Sequence, residues 1–449
     1  MSKQPIISVS GLRGIIGESL DPLLAMRFVI AFVQSLPAGP ILVARDGRTT
    51  GRMLADGICS AINSLGRDAL DADIAATPTV GVLVRDRECA GGIQISASHN
   101  PPEYNGIKLF GPDGRVISAA QGQQVIERFL EPNEIPFVDH EKVGRRIACQ
   151  NQTDEHLQSV LATVDVQRIR AKRFRVLLDA NRGSGSILGR RLLESLGCQY
   201  TILGDSPDGQ FEHPAEPTAA NLQEVAKRIK QTQVDVGFCQ DPDADRLAII
   251  DEQGNYIGEE FTLAITLQHA LQQHPGPVVI NCATSRMSID LAKQAGCQCH
   301  QSAVGEANVC DAMLRWKAVY GGEGNGGPID PRVGFVRDSF VAMAQTLDAL
   351  AANEQTVSEL VAAIPHYGMH KDKLTLPAER LPAALNAIAS HFSDATPSRL
   401  DGLRLDWPDR WLLVRGSNTE PIVRTIAEAP TLAEAQQLCE EAQRIIAAL

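Results

Sequence analysis

Three times along the chain a short apolar run gives way to a polar turn and then to apolar residues at helical spacing. The first unit is Ile41-Leu42-Val43-Ala44, polar positions 45–50, then Leu54, Ile58, Ala61 and Leu65 before Gly66. The second is Phe174-Arg175-Val176-Leu177-Leu178, positions 179–185, then Leu188, Leu192 and Leu196 before Gly197. The third is Val278-Val279-Ile280, positions 281–285, then Ile289, Leu291 and Ala292 before Gly296. A change of period from strand to helix, closed by glycine, reads as strand, turn, helix. Repetition of that unit predicts three related mixed α/β domains. The tail has another pattern: a helix over 381–392 with Pro382 in its first turn, strands at 411–415 and 422–425, and an alanine-rich amphipathic helix over 432–449. It predicts a smaller C-terminal α+β domain. Polar linkers divide the chain into 1–145, 146–252, 253–366 and 367–449.

A chain of 449 residues has ample length for several cores. Its net charge of −12 argues against nucleic acid or an anionic membrane as partner, since both need a basic surface. A small anionic substrate is still compatible with a local group of arginines. The 10 cysteines show no paired spacing and follow no leader, which predicts reduced thiols in a soluble, cytoplasmic protein. Cys297-Gln298-Cys299-His300 is too tight for a zinc knuckle and reads as strand. No apolar stretch approaches the roughly 18 residues of a membrane span.

Four loops carry candidate chemistry. Ser96-Ala97-Ser98-His99-Asn100-Pro101-Pro102 lies between the apolar runs 92–95 and 107–110, so Ser98 is expected to be presented in a loop instead of buried, with Lys108 nearby as a cation. Asp241-Pro242-Asp243-Ala244-Asp245-Arg246 sets three carboxylates at alternate positions, suited to a hard cation such as Mg²⁺ that also takes phosphate oxygens. An EF-hand fails here, because Arg246 replaces the obligatory glycine and an apolar strand-like run follows. In Gly321 to Gly327 the backbone can approach a ligand closely while Glu323 and Asn325 meet hydroxyls; no following helix completes a dinucleotide fingerprint. Arg415-Gly416-Ser417-Asn418-Thr419-Glu420-Pro421, with Arg424 beyond it, forms a plausible phosphate socket. Arg13, between glycines, is by itself no more than a surface ion-pair residue.

Taken together these loops resemble the α-D-phosphohexomutase family over essentially the whole chain. The family's Ala-Ser-His-Asn-Pro motif is matched by Ala97 to Pro101, its Asp-x-Asp-x-Asp-Arg loop by Asp241 to Arg246, its Gly-Glu-x-x-Gly loop by Gly322 to Gly326, and its arginine-led phosphate loop by Arg415 to Pro421. The resemblance implies four domains around a central cleft, each giving one loop. It implies a phosphoserine at Ser98, Mg²⁺ held by Ser98, Asp241, Asp243 and Asp245, and catalytic parts for Lys108 and Arg13 with His99 in support. A lysine acts as base only where the cleft lowers its pKa. Substrate contacts fall on Arg246, Glu323, Asn325, Arg415, Ser417, Asn418, Thr419 and Arg424. The implied reaction exchanges phosphate between O6 and O1 of a hexose phosphate, with a hexose bisphosphate as intermediate and activator. Three departures bear on substrate: Pro242 where many members have glycine, Gly324-Asn325 in place of methionine-serine, and Asn418 where bacterial phosphoglucosamine mutases have glycine. The combination leans toward glucosamine phosphate, with glucose and mannose phosphates as the alternative. A Mg²⁺-dependent phosphatase or a sugar-phosphate sensor would use fewer of these parts.

Overall fold

The computed structural model describes residues 4–131, 134–416 and 422–448. Its first three sheets repeat one plan. In the first, Ile41–Arg45 runs parallel to Ala69–Ile74 on one side and Gly91–Ile95 on the other, and Tyr104–Phe110 closes antiparallel on Gly91–Ile95. In the second, Arg175–Asp179 is flanked by parallel Gln199–Leu203 and Val236–Gln240, with Leu247–Ile250 antiparallel. In the third, Val278–Asn281 is flanked by parallel Cys299–Ser302 and Tyr320–Glu323, with Gly327–Ile329 antiparallel. The central strands are buried on both faces, which explains their unbroken apolar runs. The first sheet grows to seven strands: Gly11–Ile15 and Ile6–Ser8 add beyond Tyr104–Phe110, and Arg146–Ala148 adds beside Ala69–Ile74. That last strand carries the first sheet past the expected boundary at residue 145, because its three exposed residues hold an edge by backbone pairing and leave no apolar signal.

Each central strand leads into the helix its apolar stripe predicts: Gly51–Ser64, Gly185–Ser195 and Met287–Gln294. The helices stop at Gly66, Gly197 and Gly296, whose φ values of +73°, +68° and +68° are the left-handed conformation that glycine takes without strain. The second and third domains share one core, in which Leu188, Leu192 and Phe238 pack with Leu263, Phe340 and Leu347. The first and fourth domains have cores of their own. Cutting the fully buried Phe340 to alanine would cost about 3–5 kcal/mol.

The C-terminal domain is an antiparallel sheet ordered Gly368–Thr375, Ile422–Ala429, Trp411–Gly416, Leu403–Asp406, Thr396–Ser398, packed with helices Leu381–His391 and Leu432–Ala447. Thr431 and Glu434 form a capping box that starts the last helix. Among the described residues no helix is long and apolar enough to cross a membrane.

The repeated plan places the chemistry. The serine loop (96–103), the metal loop (241–246) and the sugar loop (324–326) are the same connection in three domains, from the outer parallel strand to its antiparallel neighbour. All three leave the carboxyl end of a parallel strand, where open α/β sheets gather ligands.

Candidate active site

Ser98 is buried, at 5 % exposure, and not presented to solvent as the loop sequence suggested. The metal loop folds over it, and its Oγ donates to Asp241 Oδ2 at 2.9 Å. The loop holds Ser98 at φ +48°, a left-handed conformation costly for serine and maintained by its surroundings. Arg48, 1 % exposed, donates to the carbonyls of Ser98 (2.7 Å), Asn100 (2.6 Å), Pro101 (2.6 Å) and Tyr104 (2.9 Å). Its Nε meets Asp46 at 3.1 Å; Asp46 accepts Ser96 Oγ at 2.7 Å, and Ser96 Oγ accepts the Ser98 N–H at 2.8 Å. Sequence reasoning missed Asp46 and Arg48, although Asp46-Gly47-Arg48 at the end of the first central strand was a signal. Arg13 is no surface ion-pair residue: its Nη1 donates to Asn100 Oδ1 at 2.5 Å. His99 Nδ1 is 3.3 Å from Ser98 Oγ. Burial, then Arg246 and Arg13, push the His99 pKa down to about 3, so the ring is neutral at physiological pH.

Asp241, Asp243 and Asp245 are fully buried, and they offer oxygens within 4.8 Å of one another. Ala244, at φ +57°, turns the chain between the second and third aspartates. Asp243 Oδ2 accepts Thr77 Oγ1 at 2.5 Å; Asp245 Oδ2 accepts Lys108 Nζ at 3.0 Å and Arg337 Nη2 at 2.6 Å. The Oδ1 atoms of Asp243 and Asp245 are buried without a hydrogen-bond partner. Bare carboxylate oxygens are costly inside a protein. A hard divalent cation is the group that would satisfy them, so the residues fit Mg²⁺. Burial, with the charges of Asp243 and Asp245, raises the Asp241 pKa well above the carboxylate range. At Asp245 burial is outweighed by Arg337, Lys108 and Arg246, which hold it far below that range.

The sequence places Lys108 near Ser98 as a cation, and as a base only where its pKa is lowered. Burial opposes its charge, but Asp245, Asp243 and Glu306 outweigh burial and raise its pKa above the ordinary lysine value. Nearby carboxylates favour its ammonium form. Arg246 is half-buried behind the metal loop, its N–H donating to Asp241 Oδ1 at 3.1 Å.

Glu323 is buried, and its carboxylate is already engaged. Oε1 accepts Asn281 Nδ2 at 2.8 Å and the Gly305 N–H at 3.0 Å, while Oε2 accepts Arg337 Nη1 at 2.8 Å. Asn325 is half-buried, and its Oδ1 has no partner. A Cβ at Gly324 would come within 2.0 Å of Glu260 Oε2, so a larger residue there needs the Glu260 side chain to move. Sequence reasoning missed Arg337 and Glu306, which no local motif marks.

In the last domain Arg415 and Arg424 are opposite each other on paired strands. Arg415 Nε is 2.9 Å from Asp401 Oδ2, and Arg424 is exposed. Ser417, Asn418 and Thr419 lie outside the described residues. A cleft of about 950 Å³ opens beside the serine loop, lined by His99, Asn100 and Pro101 and by Phe211, His213 and Glu216 of the second domain. It is large enough for a hexose phosphate.

A strained serine under a carboxylate cluster built for a divalent cation, set between repeated α/β domains, defines an enzyme of phosphoryl transfer. The chain matches four family models in order, described as Phosphoglucomutase/phosphomannomutase, alpha/beta/alpha domain I (residues 5–135), domain II (154–254), domain III (259–367) and C-terminal domain (373–445). It is 30% identical over 436 residues to a probable phosphoglucosamine mutase of Methanopyrus kandleri, covering 96% of this chain and 95% of the relative. It is 32% identical over 442 residues to a phosphoglucomutase/phosphomannomutase of Thermococcus kodakarensis, covering 96% of each. A solved phosphoglucomutase/phosphomannomutase family protein of Burkholderia thailandensis superposes with a TM-score of 0.87 at 25% identity, over 100% of this chain and 98% of that one. The chain belongs to the phosphoglucomutase/phosphomannomutase family. It is a phosphohexomutase, an isomerase that interconverts hexose 6-phosphates and hexose 1-phosphates.

Proposed function

We propose that Ser98 is the phosphoryl carrier and that the preferred substrate is glucosamine phosphate. The observation that carries the assignment is Ser98 Oγ at 2.9 Å from Asp241, beside the unpaired Oδ1 atoms of Asp243 and Asp245. Asp241, Asp243 and Asp245 would hold Mg²⁺ together with phosphorylated Ser98. Bound there, Mg²⁺ supplies Lewis-acid neutralisation of charge on the transferring group.

The residues of the chain divide the remaining work. Arg48 fixes the serine loop, so the phosphoryl group starts in one place and orientation need not be found during reaction. Lys108 is a fixed cation beside the reacting group. Neutral His99 lies 3.3 Å from Ser98 Oγ, and Arg13 holds Asn100 two residues further along the serine loop. Phosphoryl transfer passes through a loose transition state that depends chiefly on positioning and charge. Glu323 and Asn325 read sugar hydroxyls, while Arg246, Arg415, Ser417, Asn418, Thr419 and Arg424 receive the phosphate that is not reacting. The sugar reorients between the two transfers, with a hexose bisphosphate as intermediate and as activator of the serine. The relatives' names divide between glucosamine phosphate and glucose or mannose phosphate. We favour the former on the likeness to the archaeal phosphoglucosamine mutases. The ten unpaired thiols suit a reducing compartment, and we assign the enzyme to the cytoplasm.

The test is kcat/KM of phosphorylated protein with Mg²⁺ on glucosamine 6-phosphate, glucose 1-phosphate and mannose 1-phosphate. A strong preference for either of the last two would overturn the sugar assignment. Release of inorganic phosphate without isomer would replace transfer by hydrolysis.

A further inference from the structure

Arg337 joins two loops that the reaction uses for different ends. Its guanidinium is buried among carboxylates: Nη2 donates to Asp245 Oδ2 at 2.6 Å, Nη1 to Glu323 Oε2 at 2.8 Å, and Nε is 3.4 Å from Glu306 Oε2. Its backbone N–H donates to Glu306 Oε1 at 3.1 Å. Asp245 belongs to the metal loop of the second domain and Glu323 to the sugar strand of the third.

We infer that Arg337 is a positioning residue that couples the metal loop to the sugar loop. With Lys108 it takes up Oδ2 of Asp245, and Oδ1 is the oxygen left without a partner. With Asn281 and Gly305 it occupies three of the roughly four acceptor positions of Glu323, so that carboxylate has one lone pair for a sugar hydroxyl. One planar fork therefore sets which acceptor stays open on each side, Oδ1 of Asp245 and the second lone pair of Glu323 Oε2. A cation drawing on Asp245 weakens the hold of Arg337 there and strengthens it on Glu323; by linkage, a sugar hydroxyl on Glu323 acts back on the metal loop. Lysine does not reproduce this arrangement, because its side chain ends in one nitrogen where the guanidinium sets two, Nη1 on Glu323 and Nη2 on Asp245. The Glu323 end continues outward: Gly305 follows Val304, whose N–H donates at 3.0 Å to Asp401, the partner of Arg415.

This inference rests on reading the three aspartates as the Mg²⁺ site and Glu323 as a sugar contact. The test is a double-mutant cycle on Mg²⁺ affinity by isothermal titration calorimetry, without substrate. Glu323→Gln is expected to change the Mg²⁺ Kd about fivefold in the parent protein and less than about twofold when Arg337 is lysine. Arg337→Lys keeps every formal charge, so long-range electrostatics are equal in both backgrounds and the difference isolates the fork. Arg337→Gln is a second variant for the same cycle, with thermal melts to confirm folding. Equal shifts in both backgrounds overturn the coupling and leave the mutase reading intact. No Mg²⁺ binding by the parent protein overturns the reading of the site itself.

Discussion

The serine and metal loops are held by buried side chains, whereas Arg415 and Arg424, which we propose receive the distal phosphate, sit near the ends of two interior strands of the last domain's sheet. Ser98 is fixed through Ser96, Asp46 and four carbonyl contacts from Arg48. Arg415 has an ion pair to Asp401, and Arg424 is exposed. The difference follows the chemistry. In-line transfer tolerates displacements well under an ångström. The last domain also meets the third through separate polar contacts: Arg404 to the Cys282 carbonyl, the Arg286 N–H to Glu428 at 2.9 Å, and Lys371 to Glu259 at 2.6 Å.

The comparison breaks most visibly at the serine. Ser98→Ala is expected to lower kcat by about 10³-fold or more, and chelation of Mg²⁺ to do the same, measured by isomer formation in a coupled assay. Retained turnover in Ser98→Ala would remove the phosphoserine route. Arg48→Met is expected to cost about 10²-fold, almost all in kcat, since a loop displaced by one ångström misaligns the transfer. An equal change appearing only in KM would contradict its place as a support of the serine. Arg415→Met should act the other way, raising KM about 10- to 100-fold with a smaller change in kcat, the range of one lost charge-assisted hydrogen bond.

Two smaller effects sharpen the picture. Lys108→Arg keeps a cation but cannot give up a proton at working pH; measurable turnover, within about 10²-fold of the parent, is expected if Lys108 is chiefly a cation. Loss on the scale of Ser98→Ala would restore it as a base. Glu260 abuts the sugar loop, and burial raises its pKa to about 8 against the opposing effect of Lys371. It stays protonated in the folded protein after the unfolded chain has released its proton near pH 4.5. Its contribution to stability is therefore complete below that pH and is lost as pH rises toward 8. Thermal melts of Glu260→Gln should show a flatter pH profile over this window; an unchanged profile would assign the dependence elsewhere.

Much of this molecule was legible in the order of its residues. The three strand-turn-helix units at Ile41, Phe174 and Val278 appear as the central strands and first helices of three sheets, since burial on both faces leaves an apolar run that needs no context to read. The serine and metal motifs were legible because dense local chemistry, such as three aspartates at alternate positions, rarely serves a surface turn. The strand Arg146–Ala148 was not, because an exposed edge has no pattern of its own. The long reach of single side chains was equally hidden. Arg48 acts on carbonyls some fifty residues away, and Arg337 joins residues 245 and 323.

The sequence by itself determined the repeated architecture, the candidate serine and aspartate motifs and the family they resemble, because periodicity and local motifs are properties of neighbouring residues. Only the tertiary structure decided that Ser98 is buried, that Lys108 remains charged, and that Glu323 meets the metal loop through Arg337. Those are consequences of which charges share a low-dielectric interior. Such charges come from separate domains, and their interaction exists only once the sheets have been brought together.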